Sequence, residues 1–413
     1  MKNARRSLPR MAMPVCAIAV ALATARCGLL GAPGEYGGAS GEGPSADATT
    51  ETSSLTDAMS QPENVVLPDG MVVPSSIGTI AVLAGEREPT SADDNPAWSA
   101  DAWSGVLAAD GRVATWRIEK SAPIIGSFIA GGLIDKTWVM LNIGFGVGGG
   151  TGTAIQSTSW TPGITGDWKA GRANGSPGGL DNATRAFFGT RLAYVGGTRT
   201  NPGVDGGPAT TFFTREVHFS DVDVVENTIG SSSDTGQQLV TARSRAGVAT
   251  IGSYVYVVGG RGNGGILNAV EAAKVDLTTG VFEAFAAQPP LTASGGDHKL
   301  FEPALASTDD HLFVAGGRVD NANAPSEVVL SAKIAVDGSL SAFQTLTPLP
   351  EALRDFAMVA FKKTLYVIGG SNGTARSDVV YSAAISADGK IGTWQTNNAK
   401  LPSPRSDFVA LAY

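Results

Sequence analysis

Residues 244–262 read SRAGVATIGSYVYVVGGRG. A run of small residues, Ala246 to Ile251, turns at Gly252-Ser253 and returns as an apolar run that stops at Gly259-Gly260. Two short β-prone runs around a Gly turn read as a hairpin. The crowding of Ala and Gly in the first run suits a strand packed close to a central axis.

Working outward, both halves of this hairpin recur. The run ending in paired glycines appears as FGVGG to Gly149, LAYVGG to Gly197, VYVVGG to Gly260, LFVAGG to Gly317 and LYVIGG to Gly370, after a degenerate IAVLAG to Gly85. The intervals are 64, 48, 63, 57 and 53 residues, the spacing of stacked supersecondary units. The small-residue run appears as FIAGGLI, TRAFFG, SRAGVATIG, FEPALAS, RDFAMVAF and SDFVALAY. Between the two lies a third marker, a Gly with an aromatic five residues later: Gly111/Trp116, Gly163/Trp168, Gly280/Phe285, Gly338/Phe343 and Gly389/Trp394. An Asp-Gly turn leading into a strand is a hairpin signal. The rule breaks after Gly230, where Thr235 stands in the polar loop SSSDTG, and a weak strand is expected there.

Each unit therefore holds four strands, and residues 76–413 hold six units of about 56 residues. The ordered part begins on a paired-glycine strand and ends at Tyr413, just after a small-residue strand. The last strand can complete the first unit. A ring closed in this way leaves no open sheet edge.

Composition agrees. Gly numbers 53 and Pro 22, and charged residues are 16% of the chain, against about 25% in an average soluble protein. Coiled coils, long-helix bundles and charged disordered chains are excluded. The formal net charge is −8; removing Lys2, Arg5, Arg6, Arg10 and Arg26 of the leader leaves 25 basic against 38 acidic residues, a net of −13. An acidic body without a basic stripe argues against nucleic acid as a partner and against electrostatic adhesion to anionic lipid.

The N-terminus is basic, then apolar from Met11 to Ala25, too short for a membrane span of roughly 20 residues. Residues 1–27 read as an export signal, with Ala23-Thr24-Ala25 as an A-x-A cleavage site. Both cysteines, Cys16 and Cys27, fall here, so the body offers no disulfide, thiol nucleophile or cysteine metal site. Cys27 stands where a bacterial lipoprotein carries its lipidated cysteine, although Thr24 and Arg26 depart from the lipobox pattern. Lipidation at Cys27 and plain cleavage after Ala25 both stay open. Residues 28–75, rich in Gly, Ser, Thr and acids, are expected to form a flexible tether.

The order of Arg, small strand, YVxGG strand, aromatic strand and Leu-Pro resembles kelch repeats over about 80% of the chain. Tyr256 in YVVGG, Tyr366 in YVIGG, Leu349-Pro350 and Leu401-Pro402 carry the likeness. The units are longer than usual kelch repeats, Phe replaces Trp twice, and the first and third units are degenerate. The resemblance implies an all-β, six-bladed kelch-type β-propeller over residues 76–413, closed by the C-terminal strand. The body has no Cys for a galactose-oxidase-type Tyr–Cys crosslink. Ser386-Ala387-Asp388-Gly389 with Trp394 is only a lookalike of the sialidase Asp-box. A kelch-type sialic-acid epimerase has a less stereotyped site and stays open.

Candidate chemistry is sparse. The glycine pairs end strands rather than open helices and read as turns, not phosphate cradles. Trp116, Trp168 and Trp394 hold a fixed place in the repeat and read as packing between units. Asp221, Asp223 and Glu226 lack the Gly of a calcium loop. Arg185, Arg245, Arg354 and Arg405 recur at the start of small-residue strands, where loops would surround a channel mouth. They either brace neighbouring units or form a ring that binds a carboxylate or acidic glycan. His298, beside Asp297 and near Glu302, is the best single catalytic candidate, and an exposed loop histidine is its plainer reading.

No triad, metal set or cofactor motif stands out, and no cofactor is expected. The expected function is an extracytoplasmic, non-catalytic binding or scaffold propeller, secreted or anchored at the outer membrane and monomeric. It would recognise a protein or glycan ligand through Arg185, Arg245, His298, Arg354 and Arg405. The alternative is a carbohydrate-active enzyme, a sugar epimerase or lyase, working at the channel mouth. The longest loop of that face, 198–217, carries Phe212 and Phe213, either exposed on the rim or buried in the next strand.

Overall fold

The computed structural model describes residues 65–66, 72–73 and 76–412, except 90–97, 123–129, 135–136, 146–150, 160–165, 174–176 and 203–207. The export signal, Cys27 and most of the expected tether lie outside the described residues. Every regular element among the described residues is a β-strand.

Four sheets have four strands each. The first runs Val409–Ala412, Gly78–Leu83, Ala102–Leu107, Val113–Glu119. The others begin at Gly247–Ile251, Ala304–Ser307 and Ala357–Phe361, each followed by its glycine-pair strand, Tyr254–Val258, His311–Ala315 and Thr364–Ile368. Two further strands complete each. The C-terminal strand pairs antiparallel with the first glycine-pair strand, Leu83 opposite Val409 and Ile80 opposite Ala412.

A fifth sheet has nine strands rather than four, so the large sheets number five and not the six expected from the repeat. It joins a run from Ala130–Ile134 to Lys169–Ala173 with a run from Thr184–Phe188 to Glu216–Asp223. The joint is Thr228–Ile229, parallel to Arg172–Ala173 on one side and antiparallel to Val222–Asp223 on the other. Asn227, at φ 54°, turns the chain into this joint, and its Nδ2 donates to the Lys169 carbonyl at 2.8 Å. The weak strand expected near residue 230 is Ser233–Gln238, which pairs with Glu216–Phe219 across an irregular register.

The small-residue strands lie first in their runs. Ala130–Ile134 neighbours Thr184–Phe188, and the sequence continues through Gly247–Ile251, Ala304–Ser307, Ala357–Phe361 and Val409–Ala412 back to Ala130–Ile134. Sheets placed face to face round one axis make a β-propeller. The core lies between successive sheets: one cluster joins Ala304–Ala315 to Phe356–Tyr381, and another joins Ala357–Val380 to Ile80–Val113 across the two ends of the chain.

The sequence markers are the seams. Gly259 sits at φ 62°, and a Cβ there would fall 2.2 Å from the Leu300 carbonyl oxygen of the next unit. Gly260 N–H donates to that carbonyl at 2.9 Å. Gly197, Gly317 and Gly370 donate in the same way to Arg243, Leu353 and Arg405. The degenerate first copy has Ala84 in place of the first glycine, at φ 56°. The Asp-Gly turns pack on the preceding unit: Tyr256 Oη donates to the Gly338 carbonyl at 2.8 Å and Tyr366 Oη to that of Gly111 at 2.5 Å. Trp116, Trp168 and Trp394 each donate an indole N–H to a carbonyl of the preceding linker, of Ala399, Lys120 and Thr347.

Candidate ligand face

The entry to each small-residue strand is built on one repeated turn. Its first residue bridges, backbone to backbone, to the residue after a glycine pair: Asp181 to Thr198, Ser244 to Arg261, Phe301 to Arg318, Arg354 to Ser371; Ser406 pairs with Glu86. The next residue is left-handed: Asn182, Arg245, Glu302, Asp355 and Asp407, at φ 53°, 51°, 54°, 58° and 52°. L-residues visit this region sparingly, so five equivalent instances mark a constrained rim. Backbone bonds run along it: Arg245 N–H to the Asn182 carbonyl (3.2 Å), Glu302 N–H to that of Arg245 (2.9 Å), and Asp407 N–H to that of Asp355 (2.9 Å).

Against this register the four arginines do not form one ring. Arg405 precedes the bridge residue, Arg354 is the bridge residue, Arg245 is the left-handed residue, and Arg185 lies three residues further along the strand. Arg405 has 0% exposure and offers no surface to a ligand. Its Nη1 donates to the Ala84 carbonyl (2.8 Å), its Nη2 to Asp101 and Ser403 (3.1 Å each), and its plane lies over Trp103. Burial pushes its guanidinium down to about 10, opposed by Asp101. Its equivalent is Arg243, equally buried, which binds the Gly259 and Ala269 carbonyls and Glu271. The matching dipeptides Arg243-Ser244 and Arg405-Ser406 were the signal that would have aligned these two.

Arg245 and Arg354 are half-buried on the rim and engaged by acids. Arg245 Nε donates to Asn182 Oδ1 (3.2 Å) and Nη1 to Glu302 Oε1 (3.2 Å). Arg318 bridges Glu302 to Asp355, at 2.7 Å on the Asp355 side, and Arg354 Nη1 reaches the same Asp355 oxygen at 2.8 Å. The result is an alternating chain, Arg245–Glu302–Arg318–Asp355–Arg354. Arg318, Glu302 and Asp355 are members that the search for recurring arginines passed over. Arg185 is half-buried and stands apart from this chain.

His298 is half-buried, and its backbone N–H donates to the Leu291 carbonyl. It follows a small hairpin, Thr292–Ala293 with Gly296–Asp297, whose Ser294 carbonyl accepts from Thr345 Oγ1 of the next sheet's last strand. That places it by the outer edge of the sheets, with no hydrogen bond to any of the four arginines. No group of three or more His, Cys, Asp or Glu among the described residues could hold a metal ion. A hollow of about 430 Å³ lined by His311, Lys333, Ser341, Gln344 and Asp388 lies at the opposite end of the sheets.

Above the rim stands a hairpin, Thr198–Asn201 with Thr210–Phe213. Phe212 is 40% exposed and Phe213 half-buried, so both belong to a strand and only one is withdrawn from water. At its base Arg199 clamps Glu216 through Nε and Nη2, each at 2.6 Å. Those bonds, with His218 at 2.9 Å, hold the Glu216 carboxyl down at about 2.

With this geometry in hand, the comparisons with known proteins agree on the class. Residues 242–272, which include the hairpin and Arg243, match the Kelch motif. The fold is similar to that of the solved structure of YjhT, with a TM-score of 0.51, at 17% sequence identity, over 71% of this chain and 89% of that one. No curated protein matches the sequence. The chain thus carries a Kelch motif at residues 242–272 on an all-β propeller fold.

Proposed function

We propose that the protein is a non-catalytic binding or scaffold propeller that recognises a protein or glycan ligand through the rim and hairpin face. The observation that carries this reading is the charged chain on the rim. Its arginines and acids bind one another on constrained backbone, which suits a rigid, mixed-charge recognition surface. A nucleophile with its base, or a pair of acids set apart for proton transfer, is the arrangement catalysis would ask for.

The ring is proposed to have six blades. The nine-stranded sheet would serve as two of them, supported by its two small-residue strands and by the circuit of inner strands. The leader supports an extracytoplasmic setting, with Cys27 lipidated or the chain cleaved after Ala25; intact mass of the mature N-terminus separates a diacylglyceryl cysteine from a free Arg26. The acidic body supports a monomer, read by light scattering.

The functional reading is tested with arrays of glycans and surface proteins. Arg245→Ala with Arg354→Ala should abolish the binding that the wild type shows while the melting temperature moves by no more than about 2 °C. Sugar turnover by the purified protein, or binding that survives the double substitution, contradicts it.

A further inference from the structure

Position 185 breaks the pattern of its strand. Four residues after the bridge residue, the equivalent inner strands carry Val248, Leu305, Met358 and Ala410, all in the apolar packing between sheets. Their cross-strand partners are Val257, Val314, Val367 and Val82. Here the pair is Arg185 opposite Tyr194.

Arg185 Nη1 donates to the carbonyl of Ala183 at 3.1 Å, and its plane lies 5.7 Å from the centre of the Tyr194 ring. Its Nε is buried without a hydrogen-bond partner. Asp181 acts on it from a distance and forms no ion pair with it. Desolvation is the largest influence, pushing the guanidinium down to about 10. On the same face the hydroxyl of Tyr194 lies beside that of Ser220, both on fully buried residues; burial raises the pKa of the phenol and Ser220 lowers it. A half-buried cation with a buried, unpartnered Nε and no ion pair is costly. A guanidinium in that position, with free N–H groups in a planar fork, matches one carboxylate.

We propose that Arg185, on Thr184–Phe188 beside Ala130–Ile134, is the anchor of a binding site for the carboxylate of a small organic acid. This rests on the reading of the protein as a binding propeller and names one ligand chemistry for it. The site is distinct from the rim chain, where every arginine is paired with Glu302 or Asp355.

The test is thermal unfolding of the whole chain titrated with sodium acetate, against sodium chloride and sodium phosphate at matched ionic strength. Acetate should raise the melting temperature with saturation on the order of 10 mM, as a single charge-assisted fork supports, and chloride should not; any phosphate response, which the same fork allows, should also be lost in Arg185→Met. Arg185→Met, which restores the aliphatic pattern, should fold and lose the acetate response. Arg185→Lys, which keeps the charge without the fork, should weaken it by about tenfold; it decides the matter if the Met variant does not fold. An equal response to all three salts, or an acetate response unchanged in Arg185→Met or Arg185→Lys, overturns the proposal. The rim variant Arg245→Ala/Arg354→Ala should keep the acetate response, so failure at the rim and failure at Arg185 are told apart.

Discussion

Replacing Arg405 by Ala is expected to strike the fold rather than any ligand. The side chain spans the seam where the two ends of the chain meet. Its loss leaves the Ala84 carbonyl without the donor now 2.8 Å away, at a cost of about 1–3 kcal/mol for a buried acceptor. It removes a desolvated cation from the face of Trp103, worth about 2 kcal/mol. Asp101 is 44% exposed and regains water, so its share is small. Together these come to about 3–5 kcal/mol, the range for breaking a buried charged contact. About 340 residues at roughly 2.1 cal/mol/K each give an unfolding entropy near 0.7 kcal/mol/K, so the melting temperature should fall by about 6 °C. Differential scanning calorimetry reads this directly. Arg245→Ala, at a position 35% exposed with two contacts of 3.2 Å, should move it by about 1 °C. Arg405→Ala melting with the parent would refute the assignment of Arg405 to the seam.

Gly259→Ala forces a Cβ to 2.2 Å from the Leu300 oxygen at a positive φ, whereas Gly264→Ala meets nothing within 4 Å; urea unfolding should show a loss of at least about 2 kcal/mol for the first and under about 0.5 for the second. Tyr256→Phe leaves the Gly338 carbonyl without its 2.8 Å donor and should cost about 1–3 kcal/mol in the same assay. Glu216 has its folded pKa lowered from 4.5 to about 2, so its stabilisation is present above about pH 4.5 and is lost as pH falls towards 2; Arg199→Met should flatten that limb of the melting temperature against pH, and an unchanged limb would exclude the clamp as its source.

Much of this architecture was legible because the repeat is written in residues with few alternatives. The glycine pairs among the described residues recur since each passes within contact distance of a neighbouring carbonyl, and the Asp-Gly turns recur since each is covered by a residue of the preceding unit, as Gly338 is by Tyr254 and Gly389 by His311. What escaped the sequence was register across units. Arg185, Arg245, Arg354 and Arg405 look alike by proximity to a small-residue strand, yet they occupy four different positions, and one position decides between a buried brace and an exposed rim. His298 stands near the strand in sequence, but a two-stranded turn carries it to the outer edge. The fusion of two strand runs through Thr228–Ile229 depends on two residues and left no pattern to read. The rim acids Glu302 and Asp355 were hidden because their shared feature is a backbone angle, which Asn, Arg, Glu and Asp all adopt here.

Closure of the ring by its last strand underlies everything above, since the rim and its seams require both chain ends in one sheet. Val82 and Ala410 are opposite partners in that sheet, and residues 28–413 contain no other cysteine. Val82→Cys with Ala410→Cys, oxidised after folding, should give a monomer with one intramolecular disulfide. Closing a loop of about 330 residues should stabilise it by about 5–6 kcal/mol over the reduced form, less any strain. Intact mass under non-reducing conditions with paired melting curves makes the measurement. A quantitative internal crosslink with a raised melting temperature is the predicted result. Two free thiols after oxidation, or crosslinks only between molecules, would contradict it.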